Sequence, residues 1–97
     1  ECRSTAVICT NDLMAIGALQ CFRSRGIRVP EDISIVGIDD MIFSSLVTPR
    51  LTTIGYNKRE FGRALMELLY QNMTNGAIQD TLFPLKLVVR ESTMKIC

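Results

Sequence analysis

The stretch Ala6-Val7-Ile8-Cys9-Thr10-Asn11-Asp12, continued by Leu13-Met14-Ala15-Ile16-Gly17-Ala18-Leu19-Gln20-Cys21-Phe22-Arg23-Ser24-Arg25-Gly26 and closed by Ile33-Ser34-Ile35-Val36-Gly37-Ile38-Asp39-Asp40, decides the fold. Its first four residues are apolar and partly β-branched, as in a buried strand, and they lead into residue types that cap helices. Leu13 to Phe22 then reads as a helix. Basic residues in the last turn and Gly26 just beyond supply the stop. Val29-Pro30 is expected to keep the chain extended, and Ile33–Ile38 is a second apolar strand. Two strands joined by a crossover helix of this length are expected to be parallel neighbours. That places Asn11 at the carboxyl end of the first strand and Asp39-Asp40 at the carboxyl end of the second, on one edge of a sheet.

Working outward, Met41–Pro49 is irregular and Leu51–Ile54 is a short Thr-rich strand. An amphipathic helix starts near Lys58: Phe61, Leu65, Leu68, Leu69 and Met73 recur at helical spacing, with Lys58, Arg59, Glu60, Arg63 and Glu67 on a polar side. Asn75-Gly76 ends it. Leu85–Val89 is a last strand, and Arg90-Glu91-Ser92-Thr93 leaves it. The class is α/β, with no internal repeat.

The 97 residues carry 47% hydrophobic and 22% charged side chains, the balance of a folded core. No apolar run approaches the roughly 20 residues of a membrane helix, and no signal-peptide pattern opens the chain, so a soluble, cytoplasmic protein is expected. Eleven basic against ten acidic residues give a net charge of +1, which offers no electrostatic footprint for nucleic acid. Because the first residue is Glu1, the chain is expected to be the tail of something longer. Cys2, Cys9, Cys21 and Cys97 show no C-x-x-C spacing, and no histidine joins them. Reduced, packed or idle cysteines are expected, with no metal site and no cofactor.

Ligands of open α/β sheets bind beyond the carboxyl ends of the parallel strands, so Asn11, Asp12, Asp39 and Asp40 are the polar groups to weigh first. Each has a structural alternative: Asn11 and Asp12 can cap the helix, and Asp39 and Asp40 can open a turn or a helix from Met41. In the functional alternative, a carboxylate and an amide facing one crevice suit a polyhydroxylated or base-like ligand. Adjacent aspartates can also hold Mg²⁺, but no partner set of Lys or Thr/Ser accompanies them. Gly17, Gly26 and Gly37 are too scattered for a phosphate loop. Without histidine there is no Ser-His or Cys-His nucleophile pair, so no catalytic residues are named and no enzyme is expected.

The first helix is apolar around most of its circumference, since only Gly17 and Gln20 interrupt Leu13–Phe22. A surface helix needs one apolar stripe. A second one is covered either by other parts of the same protein or by another subunit, to which Phe43, Leu46 and Val47 can add apolar area.

In order along the chain, Thr10-Asn11-Asp12, Ala15-Ile16-Gly17-Ala18, Gly26–Asp40, Pro49-Arg50-Leu51-Thr52-Thr53-Ile54, the glycine of Glu60-Phe61-Gly62 and Leu87-Val88-Val89-Arg90-Glu91-Ser92-Thr93 resemble the C-terminal third of LacI/GalR transcription regulators. Each motif is weak alone; the ordered set is specific and covers nearly the whole chain. The resemblance implies a periplasmic-binding-protein-like effector domain with a parallel sheet, present here as incomplete parts of two lobes. Residues 1–54 would be the second half of the C-terminal subdomain, 55–84 the hinge crossover and terminal helix of the N-terminal subdomain, and 85–97 the returning strand and tail. It further implies effector contacts at Asn11, Asp39 and Tyr56. A homodimer or higher oligomer is implied as well, with Leu13, Ile16, Leu19, Gln20, Arg23, Leu46 and Val47 at the interface. The implied partners are a small-molecule effector, a sugar or sugar phosphate, and operator DNA reached only through a headpiece absent from this chain; no membrane is involved. Exposed sheet edges would make the 97 residues alone associate. Arg50 departs from a second proline common in the family. The alternative is a fragment of a periplasmic sugar-binding protein of an uptake transporter, which uses a related two-lobed fold.

Overall fold

The structure is a computed structural model that describes residues 3–96. The cysteine reading at Cys2 and Cys97 therefore lies outside the described residues. The elements follow in the order β1 (Ala6–Ile8), α1 (Asp12–Ser24), β2 (Ser34–Ile38), a short 3-10 helix (Ile42–Ser45), β3 (Thr52–Gly55), α2 (Lys58–Asn75) and β4 (Lys86–Val88). The chain divides into two compact units, residues 3–55 with 86–96, and Tyr56–Leu85.

In the larger unit the sheet order is β1-β2-β3-β4. β1 and β2 are parallel with Val7 opposite Ile35, and β2 and β3 are parallel with Gly37 opposite Thr53. The expected strand-helix-strand unit is therefore present. β4 runs antiparallel to β3, with Ile54 opposite Leu87, so one antiparallel edge strand joins three parallel ones.

Ala15, Leu19, Ile35 and Leu51 form the core, with Cys9, Ala18, Phe22, Val29 and Val47 packed around them. Leu19 thus serves the interior of this chain, while Val47 is only partly buried against it. The segment after β4 is tied to the sheet by hydrogen bonds. Buried Ser92 donates to the Ile35 carbonyl at 2.6 Å and accepts from the Thr52 amide at 2.8 Å, bridging β2 and β3. The Ser-Thr motif that leaves the last strand is thus a stitch between two other strands. Arg50 has a structural role as well: its backbone N–H donates to Glu91 Oε1 at 3.0 Å and its Nε at 2.9 Å. A proline there lacks that donor. The guanidinium beside Glu91 holds the carboxyl below its ordinary value.

Val29-Pro30 does not run extended as expected. Residues 29–32 form a turn, and the Val29–Pro30 peptide is cis. The turn is closed by Asp32, whose carboxylate accepts from the Arg28 backbone N–H at 2.8 Å and from its guanidinium at 3.0 and 2.8 Å.

In the smaller unit, Asn57 caps α2 by accepting from the Glu60 amide at 3.1 Å, and Gly76 ends it at φ 72°, a left-handed conformation that suits glycine. Phe61 packs edge-on against Tyr56 and Phe83, with ring centroids 5.3 and 5.0 Å apart. No helix among the described residues is long and apolar enough to cross a membrane.

Candidate functional site

Parallel pairing of β1 and β2 brings their carboxyl ends to one edge, where the Cys9 amide still bonds the Val36 carbonyl at 2.8 Å. Asn11 leaves the first strand there and Asp39 leaves the second, so the two residues expected to meet a ligand share this edge. Asn11 is also the cap of α1. Its Oδ1 accepts from the Met14 amide at 2.9 Å, and the extended backbone at Asn11 (φ −152°) turns into the helix. The capping alternative holds for Asn11, but it uses only the amide oxygen and leaves Nδ2 out of the cap.

Asp12 is not a cap. Its side chain is fully buried and reaches across the edge to three donors. Oδ1 accepts from Thr53 Oγ1 at 2.7 Å; Oδ2 accepts from the Met41 amide at 2.9 Å and from Ser44 Oγ at 2.5 Å. A carboxylate in water-free surroundings is costly unless its lone pairs are filled, and these donors fill them. Asp12 also lies in the first turn of α1, where the helix dipole favours negative charge. It fastens α1, β3 and the loop after β2 into one piece.

The sequence held a signal for this carboxylate. Glycine inside a strand marks close approach of another group. A Cβ on Gly37 would stand 2.2 Å from Asp12 Oδ1 and 3.1 Å from Leu51 Cδ2. Gly55 answers to Asp40 in the same way, at 3.1 Å from its Cβ.

Asp39 and Asp40 open neither a turn of ordinary type nor a helix at Met41. Both have positive φ, 116° and 53°, and the 3-10 helix begins at Ile42 without a side-chain cap. The Asp39 amide donates to the Ile54 carbonyl at 2.9 Å, which extends the β2–β3 ladder by one bond. The Asp40 carboxylate turns back to Arg90, with 2.7 Å between Oδ1 and the guanidinium. The two adjacent aspartates are therefore differently employed, and among the described residues no cluster of three or more acidic or cysteine side chains is placed to hold a metal. Sequence reasoning missed Arg90, which is 50 residues away from Asp40. Tyr56 belongs to the smaller unit, where its ring meets Phe61 and the Lys58 ammonium, 5.1 Å from the ring centroid.

Of the side chains expected at a subunit interface, Leu13 and Leu46 are 66% and 74% exposed. Ile16, Gln20, Arg23 and Val47 border a cavity of about 280 Å³ beside α1. Arg23 spans it to donate to the Thr48 carbonyl at 2.6 Å. Leu19 reaches the same cavity but is only 7% exposed. Ile42, not singled out from the sequence, is 80% exposed on the adjoining 3-10 helix.

Residues 1–93 match a family described as periplasmic binding protein-like domain. Among curated proteins, the arabinose metabolism transcriptional repressor of Geobacillus stearothermophilus is 40% identical, over 99% of this chain and 27% of its own length. Among solved structures, the Lac repressor dimer bound to operator and the anti-inducer ONPF superposes with a TM-score of 0.82 at 39% identity, covering 94% of this chain and 32% of that one. A regulator from Enterococcus faecium with bound ribose gives 0.79 at 28% identity, covering 99% and 37%. The chain thus spans about a quarter to a third of the proteins it matches.

Proposed function

We propose, for a chain that belongs to the LacI/GalR family of transcription regulators and to its periplasmic-binding-protein-like effector domain, that it supplies the effector-binding and dimerisation part of a regulator sensing a sugar-type small molecule. The observation that carries this reading is the shared edge of β1 and β2. There Asn11 and Asp39 follow the carboxyl ends of adjacent parallel strands, and Asp39 leaves its strand at φ 116°. A carboxylate accepts from two neighbouring hydroxyls of a sugar, and an amide Nδ2 donates to a third oxygen. Tyr56 is assigned to the effector as well, through its aromatic face.

The apolar side of α1 with Leu13, Ile16, Gln20 and Arg23, continued by Leu46 and Val47, is assigned to a second copy. Exposure of Leu13 and Leu46 supports that assignment. Leu19 is left out, because it is spent on the core. Residues 1–54 are assigned to the C-terminal subdomain, 55–84 to the crossover and terminal helix of the N-terminal one, and 85–97 to the returning strand and tail.

In the intact regulator, the effector shifts the equilibrium between two forms of a dimer that present their DNA-reading headpieces differently to a two-fold operator. No reaction is catalysed, and the protein works in the cytoplasm. The uptake-transporter alternative finds less support, since the 40% identical relative is a repressor. Calorimetric titration of the intact protein with L-arabinose, D-ribose and lactose tests the reading: one of them binds, and Asp39→Asn, which tolerates the same backbone, weakens it by about tenfold or more. Equal affinity in the variant would refute the role of Asp39.

A further inference from the structure

Two consecutive residues with side chains at positive φ, Asp39 at 116° and Asp40 at 53°, need an explanation. Such backbone is uphill for any residue with a Cβ and persists only where the surroundings over-determine it. Backbone bonds hold part of it: the amides of Asp39, Asp40 and Met41 reach the Ile54 carbonyl at 2.9 Å, Thr53 Oγ1 at 3.3 Å and Asp12 Oδ2 at 2.9 Å.

The Asp40 side chain is held separately, from two sides. On one, Arg90 Nη2 donates to Oδ1 at 2.7 Å, while Nη1 of the same guanidinium donates to the Leu51 carbonyl at 3.0 Å. The Arg90 amide donates to Thr52 Oγ1 at 2.9 Å, so the arginine is anchored at both ends. Its side chain is 17% exposed. On the other side, Asp40 rests against the bare backbone of Gly55. With its carboxylate and Cβ both fixed, the peptide linking it to Asp39 has one orientation, and that peptide aims the Asp39 side chain.

We propose that Arg90 is a positioning residue for the effector: by clamping Asp40 it fixes the backbone from which Asp39 presents its carboxylate. The inference rests on the reading of Asp39 as an effector contact. Arginine suits the task because its planar fork serves two acceptors at once, a carboxylate and a carbonyl, whereas a lysine ammonium on a flexible stem serves them without fixed geometry.

The test uses the intact protein and the variants Arg90→Gln, Arg90→Lys, Asp39→Asn and Asp39→Asn/Arg90→Gln. Each is titrated with L-arabinose, D-ribose and lactose, and hydrogen exchange is followed in peptides covering 38–44 and 12–24. Arg90→Gln weakens the tightest of these sugars by about tenfold or more, Arg90→Lys by less, and the double variant binds within about twofold of Asp39→Asn alone. Exchange over 38–44 accelerates by about tenfold in Arg90→Gln while 12–24 is unchanged. Losses that add in the double variant, or unchanged affinity in Arg90→Gln, would overturn the proposal, since a purely structural arginine does not depend on Asp39. If none of the three sugars binds the wild-type protein, the sugar reading has failed, and exchange alone decides the clamp: acceleration confined to 38–44 supports it, and unchanged exchange overturns it.

Discussion

Replacing Asp12 by alanine removes the acceptor of three hydrogen bonds, from Thr53 Oγ1, the Met41 amide and Ser44 Oγ, at a position with no solvent exposure. Hydrogen bonds to a charged group contribute about 1.5–3 kcal/mol each, but three that share one acceptor are not additive. The two hydroxyls can rotate toward other acceptors, whereas the Met41 N–H cannot move without the strained pair before it. The lost first-turn carboxylate adds about 0.3–1 kcal/mol through the helix dipole. A net loss of about 3–5 kcal/mol follows, in line with breaking a buried charged network. Asp12→Asn keeps one acceptor oxygen for Met41 and Ser44 and loses about 1–3 kcal/mol. The assay is urea unfolding of the intact protein followed by far-UV circular dichroism. At a slope of about 2 kcal/mol per molar, the alanine midpoint falls by roughly 1.5–2.5 M. An alanine variant within about 1 kcal/mol of the wild type would refute the assignment of Asp12 as the fastening of this edge.

Three further outcomes follow from other contacts. Gly37→Ala forces a Cβ to 2.2 Å from Asp12 Oδ1 and 3.2 Å from its Cα, so it should destabilise by about 1–3 kcal/mol in the same unfolding assay. Asn11→Ala loses the cap of α1 and about 1 kcal/mol, and it also lowers sugar affinity in calorimetry; a variant that loses stability but not affinity would confine Asn11 to capping. Hydrogen bonds from the Arg28 guanidinium and backbone hold the Asp32 carboxyl at about 2, below its ordinary value, so its stabilising effect is complete above about pH 4 and fades as pH falls toward 2. Carboxyl titration by NMR should show that low midpoint moving up in Arg28→Ala, and an unmoved midpoint would contradict the pairing.

How far the sequence carried the reading depended on the range of the forces involved. α1 was legible because its stop lies within a few residues of its own periodic run: Arg23 in the last turn and Gly26 beyond. The parallel pair β1–β2 followed from chain connectivity, and the edge carrying Asn11 and Asp39 followed from the pair. Long-range polar contacts were not legible. Asp12 finds its donors 29 to 41 positions away, Asp40 its arginine 50 away, and Ser92 its carbonyl 57 away. Nothing in local propensity marks such partners. Only the glycines, Gly37 inside an apolar strand and Gly55 at the end of a Thr-rich one, recorded that something packs against them. The turn at Val29-Pro30 was misread because the rule for residues before proline describes the local backbone, whereas Asp32 closes the turn from four positions on. The resemblance implied an interface role for Leu19 along with the rest of its helix, yet a family likeness does not tell the stripe that meets the sheet from the one that meets a partner, and Leu19 is only 7% exposed.

Whether the carboxyl-end edge of β1 and β2 meets a sugar is decided by a crystal structure of the intact protein with a bound sugar. In that crystal the Asp39 carboxylate accepts from sugar hydroxyls at roughly 2.5–3.0 Å, with Asn11 Nδ2 donating to the same molecule. A sugar bound elsewhere, with Asp39 turned to solvent, would contradict it.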